Sequence, residues 1–480
     1  MKAFRVLMVF LLMIVHASAT VHYVDLNCIN ATPPYTNWPT AATNIQSAIN
    51  VALAGDLILV TNGVYQTGVS LSSSGSNRVT VAKAVLLKSV NGPQFTSIKG
   101  FSGSGFSKTN RIRCVFLTNG ASLSGFTLAG GSTSDDGGGV YCWSSNAVVS
   151  NCIITTSFAG GYGGGSYGGS FVNCYFTANS ANTFGGASYG GAFTNCVFWK
   201  NSAISSGGAT YAAVILVNCT VVGNHAGYID FSGGGRSALG YGGGVYAGTG
   251  TILKNCILSD NYLINPAPYG GDNIVSGSFV YNCCFAPTNN LSDNFSGTNI
   301  VQPPAFVNSA GGNFRLRTNS PCINAGNNGF IPEVSTDIDG RARFNGGTVD
   351  IGAFEFQGAN LGEFTGWLYQ YNLPTDSAAD FLDSDGDGMN NWQEWIAGLI
   401  PTDATSVLRL NQPTNTVTGL QVSWQSVNSR TYYLQRSTNL LASPAFTGIQ
   451  SNLAGGTVTT TFTDTSATND GPYFYRVGVQ

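Results

Sequence analysis

The chain has 480 residues and a formal net charge of −3, and only 9% of its residues are charged. This sparse charge excludes the extended basic surface with which proteins bind nucleic acids or anionic membranes. Glycine is abundant, at 63 residues, but the 28 phenylalanines and 21 tyrosines supply ample apolar surface for a core. The composition is therefore that of a folded protein and not of a disordered one.

The first residues have the pattern of a secretory signal peptide. Lys2 and Arg5 form a basic start, residues 6–15 are apolar, and residues 17–19 (ASA) offer the small side chains of a cleavage site. We expect residues 1–19 to be removed and the mature chain to begin near Thr20. The apolar run is too short to span a membrane and no second one follows, so we expect a secreted or cell-surface protein without a transmembrane segment.

Residues 20–55 are predicted to form an N-terminal cap. The stretch TNIQSAINVALA, residues 43–54, has apolar side chains at helical spacing, namely Ile45, Ala48, Ile49, Ala52 and Leu53. A short amphipathic helix with this face can cover an open strand edge, which would otherwise aggregate. The first strand of the structure behind the cap is predicted at residues 56–60, DLILV.

An internal repeat dominates residues 56–310. Asn-Cys pairs occur at 151–152, 173–174, 195–196, 218–219, 255–256 and 282–283, and FxxN phrases follow the second and third of them, at 176–179 and 198–201. The period of about 22 residues, made of short β-type runs broken by Gly, Asn and Ser, predicts the coils of a right-handed parallel β-helix. The fold class is therefore all-β.

Stacked coils place equivalent residues in columns at the strand spacing of ~4.8 Å. The Cys column should point inward as free thiols, because a disulfide prefers a Cβ–Cβ distance of ~3.8 Å. The Asn residues beside it should form an amide ladder at the turn.

A row of tyrosines follows the glycine corners of the repeat: Tyr141, Tyr167, Tyr189, Tyr211 and Tyr246. Two interpretations stay open for this row. The rings can form a stack that holds neighbouring coils together, or they can offer an exposed platform for sugar rings.

Three stretches resemble known families. The run TNIQSAINVALAGDLILVTNGVY, residues 43–65, resembles the opening of secreted bacterial proteins with the pectin-lyase-type β-helix. The segment SPCINAGNNGFIPEVSTDIDGRARFNGGTVDIGAFEF, residues 320–356, is similar to the end of the choice-of-anchor Q β-helix family, and we assign residues 311–357 as a closing segment. The internal GGA and FxxN phrases resemble repeats of polymorphic outer-membrane adhesins. The resemblance implies a β-helix and export, and this fold hosts lyases, hydrolases and inert adhesins alike.

A catalytic site has few candidates in the rod. A glycosidase needs two carboxylates about 5–10 Å apart, and no Glu precedes Glu333, so the acidic candidates are Asp135, Asp136, Asp230, Asp260, Asp272 and Asp293. A lyase needs a base, for which the candidates are Lys200, Arg236 and Lys254. We assign no catalytic residue. The loop 226–242, which contains Asp230 and Arg236, is the first place to search.

The stretch DSDGDGMNNWQE, residues 383–394, carries the strongest chemical signal in the chain. Its alternating oxygen donors have the order of an EF-hand-type calcium loop, with a glycine for the sharp turn at Gly388. The predicted metal ligands are Asp383, Asp385, Asp387, the carbonyl of Met389, Asn391 and Glu394. The unit, residues 361–405, resembles the single calcium loops of dockerin-like and thrombospondin-type-3-like segments. We expect a structural calcium with a dissociation constant on the order of 10⁻⁴–10⁻³ M.

Two helices are predicted around this loop, at residues 363–372 and 392–397. From residue 406 to residue 480 the pattern changes to alternating strands, which predicts a small β-sandwich similar to fibronectin type III modules.

Two functions stay open at this point. The first is a non-catalytic secreted or cell-surface scaffold that binds polysaccharides or cell-surface glycans, because many weak contacts along a rod add up to avidity. The alternative is a polysaccharide lyase or glycoside hydrolase with a divergent active site. In either case we expect a monomer, with calcium as the cofactor.

Overall fold

The computed structural model describes residues 19–480 apart from 104–109, 230–236, 265–270, 276–278, 287–297, 332–335, 345–347, 358–363, 365–366, 369, 372, 374–378, 443–444 and 469–470. Three candidate site residues, Asp230, Arg236 and Asp293, lie outside the described residues. The helix predicted at 363–372 lies partly outside them, and its described residues 364, 367, 368 and 370 are helical. In the described part of the chain, no helix is both long and apolar enough to cross a membrane.

The rod consists of three stacks of short strands, each stack contributed by successive coils. Sheet 1 contains Val21–Val24, Leu57–Val60, Ser70–Ser72, Gly75–Val81, Leu86–Ser89, Arg113–Leu117, Ser122–Ser124, Val140–Cys142, Val148–Ser150, Ser166–Tyr167, Ser170–Val172, Ser188–Thr194, Thr210–Val217, Val245–Ala247, Ile252–Lys254, Ile274–Val275 and Phe279–Tyr281. Sheet 2 contains Gly63–Tyr65, Thr96–Lys99, Thr127–Ala129, Ile153–Thr155, Tyr175–Thr177, Val197–Trp199, Thr220–Val222, Ile257–Ser259 and Cys284–Ala286. Sheet 3 contains Ser132–Thr133, Phe158–Ala159, Ser180–Ala181, Ser202–Ala203, His225–Ala226 and Tyr262–Leu263.

Strand register confirms the parallel β-helix. Ile153–Thr155 pairs in parallel with Tyr175–Thr177, which pairs in the same register with Val197–Trp199. The partners lie one repeat apart, so each coil hydrogen-bonds to the next. Short antiparallel ladders depart from this rule, such as the hairpin of Ser70–Ser72 with Gly75–Val81 and that of Tyr228–Ile229 with Ser237–Ala238.

The Cys column lies inside the rod as predicted. Cys152, Cys174, Cys196 and Cys219 are buried in one apolar cluster, and none of them is bridged. Their thiols donate to backbone carbonyls, as Cys196 does to Thr194 at 3.3 Å. They behave as small core side chains in the same cluster as the stacked phenylalanines of neighbouring coils.

The Asn of each Asn-Cys pair occupies a turn with left-handed backbone, at φ of 50–54°. Asn is among the few residues that adopt this conformation readily. The predicted amide ladder exists in part, because Asn173 donates to Asn151 at 3.3 Å and Asn195 donates to Asn173 at 3.2 Å. Asn195 and Asn255 also donate to the carbonyls of Thr336 and Asn327 in the closing segment, so this column helps to hold that segment.

The N-terminal cap contains the 3₁₀ turn Trp38–Thr40 and the helix Ile45–Val51. Asn44 caps the helix by accepting a hydrogen bond from the N–H of Ser47. Ile45, Ala48 and Ile49 are buried, as the apolar spacing predicts. The prediction is wrong for Leu53, which is 71% exposed because the helix ends at Val51 and the chain turns outward.

The closing segment folds back along the outer surface of sheet 2. Its first strand, Asn313–Leu316, pairs in a hairpin with Phe306–Asn308, which directly precedes the predicted segment, and it includes the 3₁₀ turn Asn328–Phe330. Its backbone bonds to the rod at several coils, since the N–H of Gly352 donates to the carbonyl of Asn255 and that of Ala353 to Thr220 Oγ1. The segment therefore covers the flank of the rod instead of only ending it.

The motifs that resemble the choice-of-anchor Q family form a buried network of hydrogen bonds inside this segment. Asp337 accepts hydrogen bonds from three backbone N–H groups and Asp350 from two. Arg343 lies 3.8 Å from Glu355, and both side chains are buried. In this chain those motif residues hold the segment in shape.

The C-terminal module is a small β-sandwich. One antiparallel sheet contains Thr414–Thr416, Gly419–Gln425 and Thr459–Asp464, and the other contains Thr431–Ser437, Thr447–Ala454 and Phe474–Val479. Val422, Trp424, Tyr432 and Leu434 form its core. The antiparallel strands predicted after residue 406 are thus present.

Candidate metal centre and aromatic face

The backbone of the predicted calcium loop donates several hydrogen bonds to the carboxylate of Asp383. Its Oδ1 accepts a hydrogen bond from the N–H of Gly386 at 2.7 Å, and its Oδ2 accepts one from Gly388 at 2.9 Å. Both glycines have positive φ, 80° and 101°, which an L residue adopts only at a cost. The second helix, Asn391–Ala397, starts directly behind the loop with a capping box between Asn390 and Gln393.

Three of the six predicted ligands converge. One carboxylate oxygen from each of Asp383, Asp385 and Asp387 lies within 4.8 Å of the others. Glu394, from the first turn of the helix, is fully buried, and neither of its carboxylate oxygens has a hydrogen-bond partner among the described residues. Three more buried oxygens of the loop lack a partner in the same way: Asp385 Oδ2, Asp387 Oδ2 and Asn391 Oδ1.

Buried acceptors without donors are costly, and buried carboxylates more so. Burial and the neighbouring Asp385, Asp387 and Asp383 raise the pKa of Glu394 to about 8. Burial also raises the pKa of Asp385 and Asp387, and the other loop carboxylates raise them further. A divalent cation would compensate this concentrated charge and supply the missing partners, so the residues present fit calcium.

The loop lies where several parts of the chain meet. A Cβ on Gly388 would come within 2.8 Å of the ring of Phe95, a residue of an early coil. Behind the loop, the guanidinium of Arg341 in the closing segment lies 3.9 Å from the ring centroid of Trp392. Arg430 of the C-terminal module donates to the carbonyl of Ile396 at 2.7 Å. Ordering of this loop therefore affects the rod, the closing segment and the module.

The tyrosine row forms a continuous stack along sheet 1. Ring centroids are separated by 4.9 Å between Tyr141 and Tyr167 and by 5.3 Å between Tyr167 and Tyr189, with interplanar angles of 7° and 2°. Tyr211 and Tyr246 continue the stack. Two flanking rings widen it, and we call the whole group the aromatic face: Tyr141, Tyr162, Tyr167, Phe184, Tyr189, Tyr211 and Tyr246.

This geometry decides what the aromatic face can offer to a ligand. Rings stacked along the rod cover one another's faces, so inside the row it is the ring edges and the phenol groups that remain available. In the described part of the chain, no hydrogen bond engages the phenol oxygens of Tyr141, Tyr167 or Tyr189. Burial raises the pKa of Tyr141, Tyr167 and Tyr211, so these phenols stay protonated as hydrogen-bond donors.

An open ring face lies at the edge of this group. Trp143 is 61% exposed and has its ring centroid 6.4 Å from that of Tyr141. Ser144 and Asn146 follow Trp143 closely in the sequence. Both side chains donate hydrogen bonds to Asn119 of the preceding coil. Trp143 lies outside the repeated phrases, so their spacing gave no signal for it.

The described acid and base candidates of the rod have structural partners. Asp136 Oδ1 accepts a hydrogen bond from the N–H of Tyr162 at 2.8 Å, and Asp260 accepts one from Ser259. Lys200 lies over Trp199 and Lys254 over Phe330. Among the described residues, neither lysine forms an ion pair with a candidate aspartate, so Lys200 and Lys254 are not paired with the described acid candidates.

Several solved structures are similar to this chain, among them two lyases. One is the pectate lyase Pel9A, with a TM-score of 0.44 and 16% sequence identity over 71% of this chain and 97% of that chain. The other is a rhamnogalacturonan lyase, with a TM-score of 0.33 and 13% identity over 68% of this chain and 97% of that chain. No family model and no curated protein matches the sequence. The assignment of the fold rests on the strand register described above.

Proposed function

We propose that the protein is a secreted or cell-surface β-helix scaffold that binds glycans through its aromatic face. The observation that carries this proposal is the row of half-buried tyrosines whose phenol oxygens have no partner among the described residues. Hydroxyl-rich polymers are natural ligands for such a row, because each sugar both donates and accepts hydrogen bonds.

The spacing of the row supports a linear ligand. Successive coils repeat at ~4.8 Å, which is close to the length of one sugar unit in an extended polysaccharide. A chain lying along the rod could then meet an equivalent tyrosine at each unit. Individually weak contacts of this kind add up when several are made at once.

Trp143 would supply a different contact at the edge of the row. Its exposed indole offers the flat apolar surface on which the C–H groups of a sugar ring pack. Asn146 follows Trp143 by three residues and is hydrogen-bonded to Asn119 of the preceding coil, so both amides can contribute polar contacts beside the indole. We propose that this corner binds one unit of the glycan.

The test uses variants that keep the stack and remove the hydroxyls. The double variant Tyr167→Phe/Tyr189→Phe should lose about fivefold to 150-fold in affinity for a retained polysaccharide, since two uncharged hydrogen bonds of about 0.5–1.5 kcal/mol each disappear. Its thermal midpoint should stay unchanged. The matched control is Tyr262→Phe, an exposed tyrosine on sheet 3 outside the aromatic face.

A panel of acidic and neutral polysaccharides serves as ligand, scored for retention and for cleavage. Retention that survives the double variant, or equals that of the control, overturns the proposed surface. Release of new chain ends or unsaturated products by the wild-type protein supports the alternative, a lyase or hydrolase, and overturns the non-catalytic part of the proposal.

We also propose that residues 383–394 bind one calcium ion in a structural role. The ligands are the carboxylates of Asp383, Asp385, Asp387 and Glu394, the side-chain oxygen of Asn391 and the backbone carbonyl of Met389. The support is the set of buried, unpartnered oxygens that a hard cation would satisfy.

A further inference from the structure

Cys284 and Cys322 meet between the rod and the closing segment. Cys284 follows Cys283, and because strand side chains alternate, it points to the outer surface of sheet 2 while Cys283 points into the core. Cys322 lies in the closing segment, in the SPC turn. Both are buried in the same apolar cluster, together with Ile351 and Phe354.

The two residues are neighbours in this cluster, and the thiol of Cys284 donates to the carbonyl of Gln302 at 3.2 Å. The neighbouring Cys284 and burial raise the pKa of Cys322. Each residue is also held by its own segment: the N–H of Cys284 donates to the carbonyl of Cys256, and the N–H of Ile351 donates to the carbonyl of Cys322. The pair is therefore positioned by two independent stretches of backbone.

This pair differs from the cysteines of the inner column. Neighbouring column thiols also touch, but parallel in-register strands hold their Cβ atoms at the ~4.8 Å strand spacing, beyond the ~3.8 Å that a disulfide prefers. Closing a bond there would pull two coils out of register. Cys322 lies in a turn outside that ladder, so its backbone can adjust.

We infer that Cys284 and Cys322 form a disulfide that fastens the closing segment to the last described coil of the rod. The inference rests on the proposed export of the chain, because disulfides persist outside the cytoplasm. An exposed disulfide of a thiol–disulfide oxidoreductase is the oxidant. One cysteine thiolate attacks it to give a mixed disulfide, the second thiolate displaces the oxidoreductase, and the latter leaves as a dithiol with both protons and both electrons.

The bond must form before burial is complete, while both sulfurs are still accessible to the oxidant. Once the closing segment has docked, the surrounding apolar side chains shield the bond from reductants. Its consequence is mechanical: the segment that covers the flank of the rod cannot detach from its first anchor.

The experiment counts free thiols in protein that is exported by fusion to an established signal peptide. The result then does not depend on whether residues 1–19 direct export. All eleven cysteines follow residue 27 and stay in the mature chain. Under denaturing conditions without reductant, we expect two of them to resist alkylation and a single linked peptide containing Cys284 and Cys322. Alkylation of all eleven, or a link between two column cysteines, overturns the inference.

A second measurement does not depend on the folding of a variant. Dithiothreitol, added before heating, should lower the thermal midpoint of the exported wild-type protein by about 5 °C, because the reduced chain regains loop entropy. It should leave Cys284→Ala/Cys322→Ala unchanged. Equal effects of dithiothreitol on both proteins contradict the inference, whatever the outcome of the glycan assays.

Discussion

At the scale of single residues, Asp56 shows how one buried carboxylate can hold the start of the fold. It accepts hydrogen bonds from the N–H of Thr20 at 2.8 Å and of Leu53 at 2.7 Å, and it pairs with His22 at 3.0 Å. Burial alone would raise the pKa of Asp56, but the hydrogen bonds from Leu53, His22 and Thr20 outweigh it, and the pKa is lowered. If the leader is cleaved at the predicted place, the Thr20 nitrogen becomes an ammonium group and the pairing with Asp56 grows stronger.

Replacement of Asp56 should therefore weaken the cap in a pH-dependent way. A carboxylate whose pKa is lowered by folding adds stability above its unfolded pKa of ~3.9, and this contribution is lost as the pH falls through the folded pKa. Asp56→Asn should reduce the free energy of unfolding by roughly 1–3 kcal/mol at pH 7. Thermal midpoints measured from pH 2 to pH 7 should converge with those of the wild type at the acidic end.

The control for this experiment is Asp25→Asn, which removes a partly exposed carboxylate of the same cap that caps only a local turn. A difference between wild type and Asp56→Asn that stays constant down to pH 2 would refute the proposed role of the charge.

At the scale of structural elements, a second Asn column holds the coils together more firmly than the one beside the cysteines. Asn179 donates through its backbone N–H and its Nδ2 to the side-chain oxygen of Asn201, both at 3.0 Å. Asn201 donates in the same way to Asn224. These amides are completely buried, so every bond replaces contact with water.

Asn201→Ala should destabilise the rod by roughly 2–5 kcal/mol, because the mutation leaves two buried donors of Asn179 without an acceptor. The measurement is the free energy of unfolding by denaturant. Asn146→Ala, at an exposed turn of the same rod, serves as the control and should change stability by no more than about 0.5 kcal/mol. Equal effects of the two mutations would contradict the assigned role of the ladder.

The elements also show what the sequence could and could not predict. The β-helix was predictable, because a strict period is a local signal. The order of oxygen donors in residues 383–394 is a local signal of the same kind, and calcium binding there stays a prediction. The importance of Asn179 and Asn201 was hidden, since the FxxN phrase does not reveal which side chain is buried. The tyrosine row was predictable as a column, but the covering of its ring faces depends on the rotation of neighbouring side chains.

The path of the closing segment along the rod could not be predicted from the sequence. Its bonds to the rod join residues far apart in the chain, such as Thr336 with Asn195 and Ala353 with Thr220. No repeat or spacing encodes such pairs. The motifs around Asp337 and Asp350 do not repeat, so they could be recognised only by their resemblance to a known family. That resemblance does not reveal which hydrogen bonds the two aspartates accept.

At the scale of the whole molecule, calcium should stabilise the assembly of rod, closing segment and C-terminal module. With a dissociation constant on the order of 10⁻⁴–10⁻³ M, 10 mM calcium should add roughly 1–3 kcal/mol to the free energy of unfolding. Calorimetric titration should also give one binding site per chain. The thermal midpoint should fall again when a chelator is added.

Asp383→Ala should abolish both effects, because Asp383 is one of the proposed ligands and its carboxylate also accepts hydrogen bonds from the loop backbone. Asp403→Ala, an exposed aspartate beyond the second helix, should preserve them. Absence of heat at millimolar calcium in the wild-type protein, or binding that survives in Asp383→Ala, would refute the site.

The return path of the chain along sheet 2 sets the number of windings in the rod. Cys322 lies against the coil of Cys284, and Gly388 lies against Phe95, so the returning stretch spans a fixed series of coils. A solenoid can in principle gain or lose a coil at little expense. Here one inserted or deleted coil would shift the two contact points by ~4.8 Å relative to each other. The two contacts therefore favour one number of coils, because a rod that is one coil longer or shorter would lose one of them.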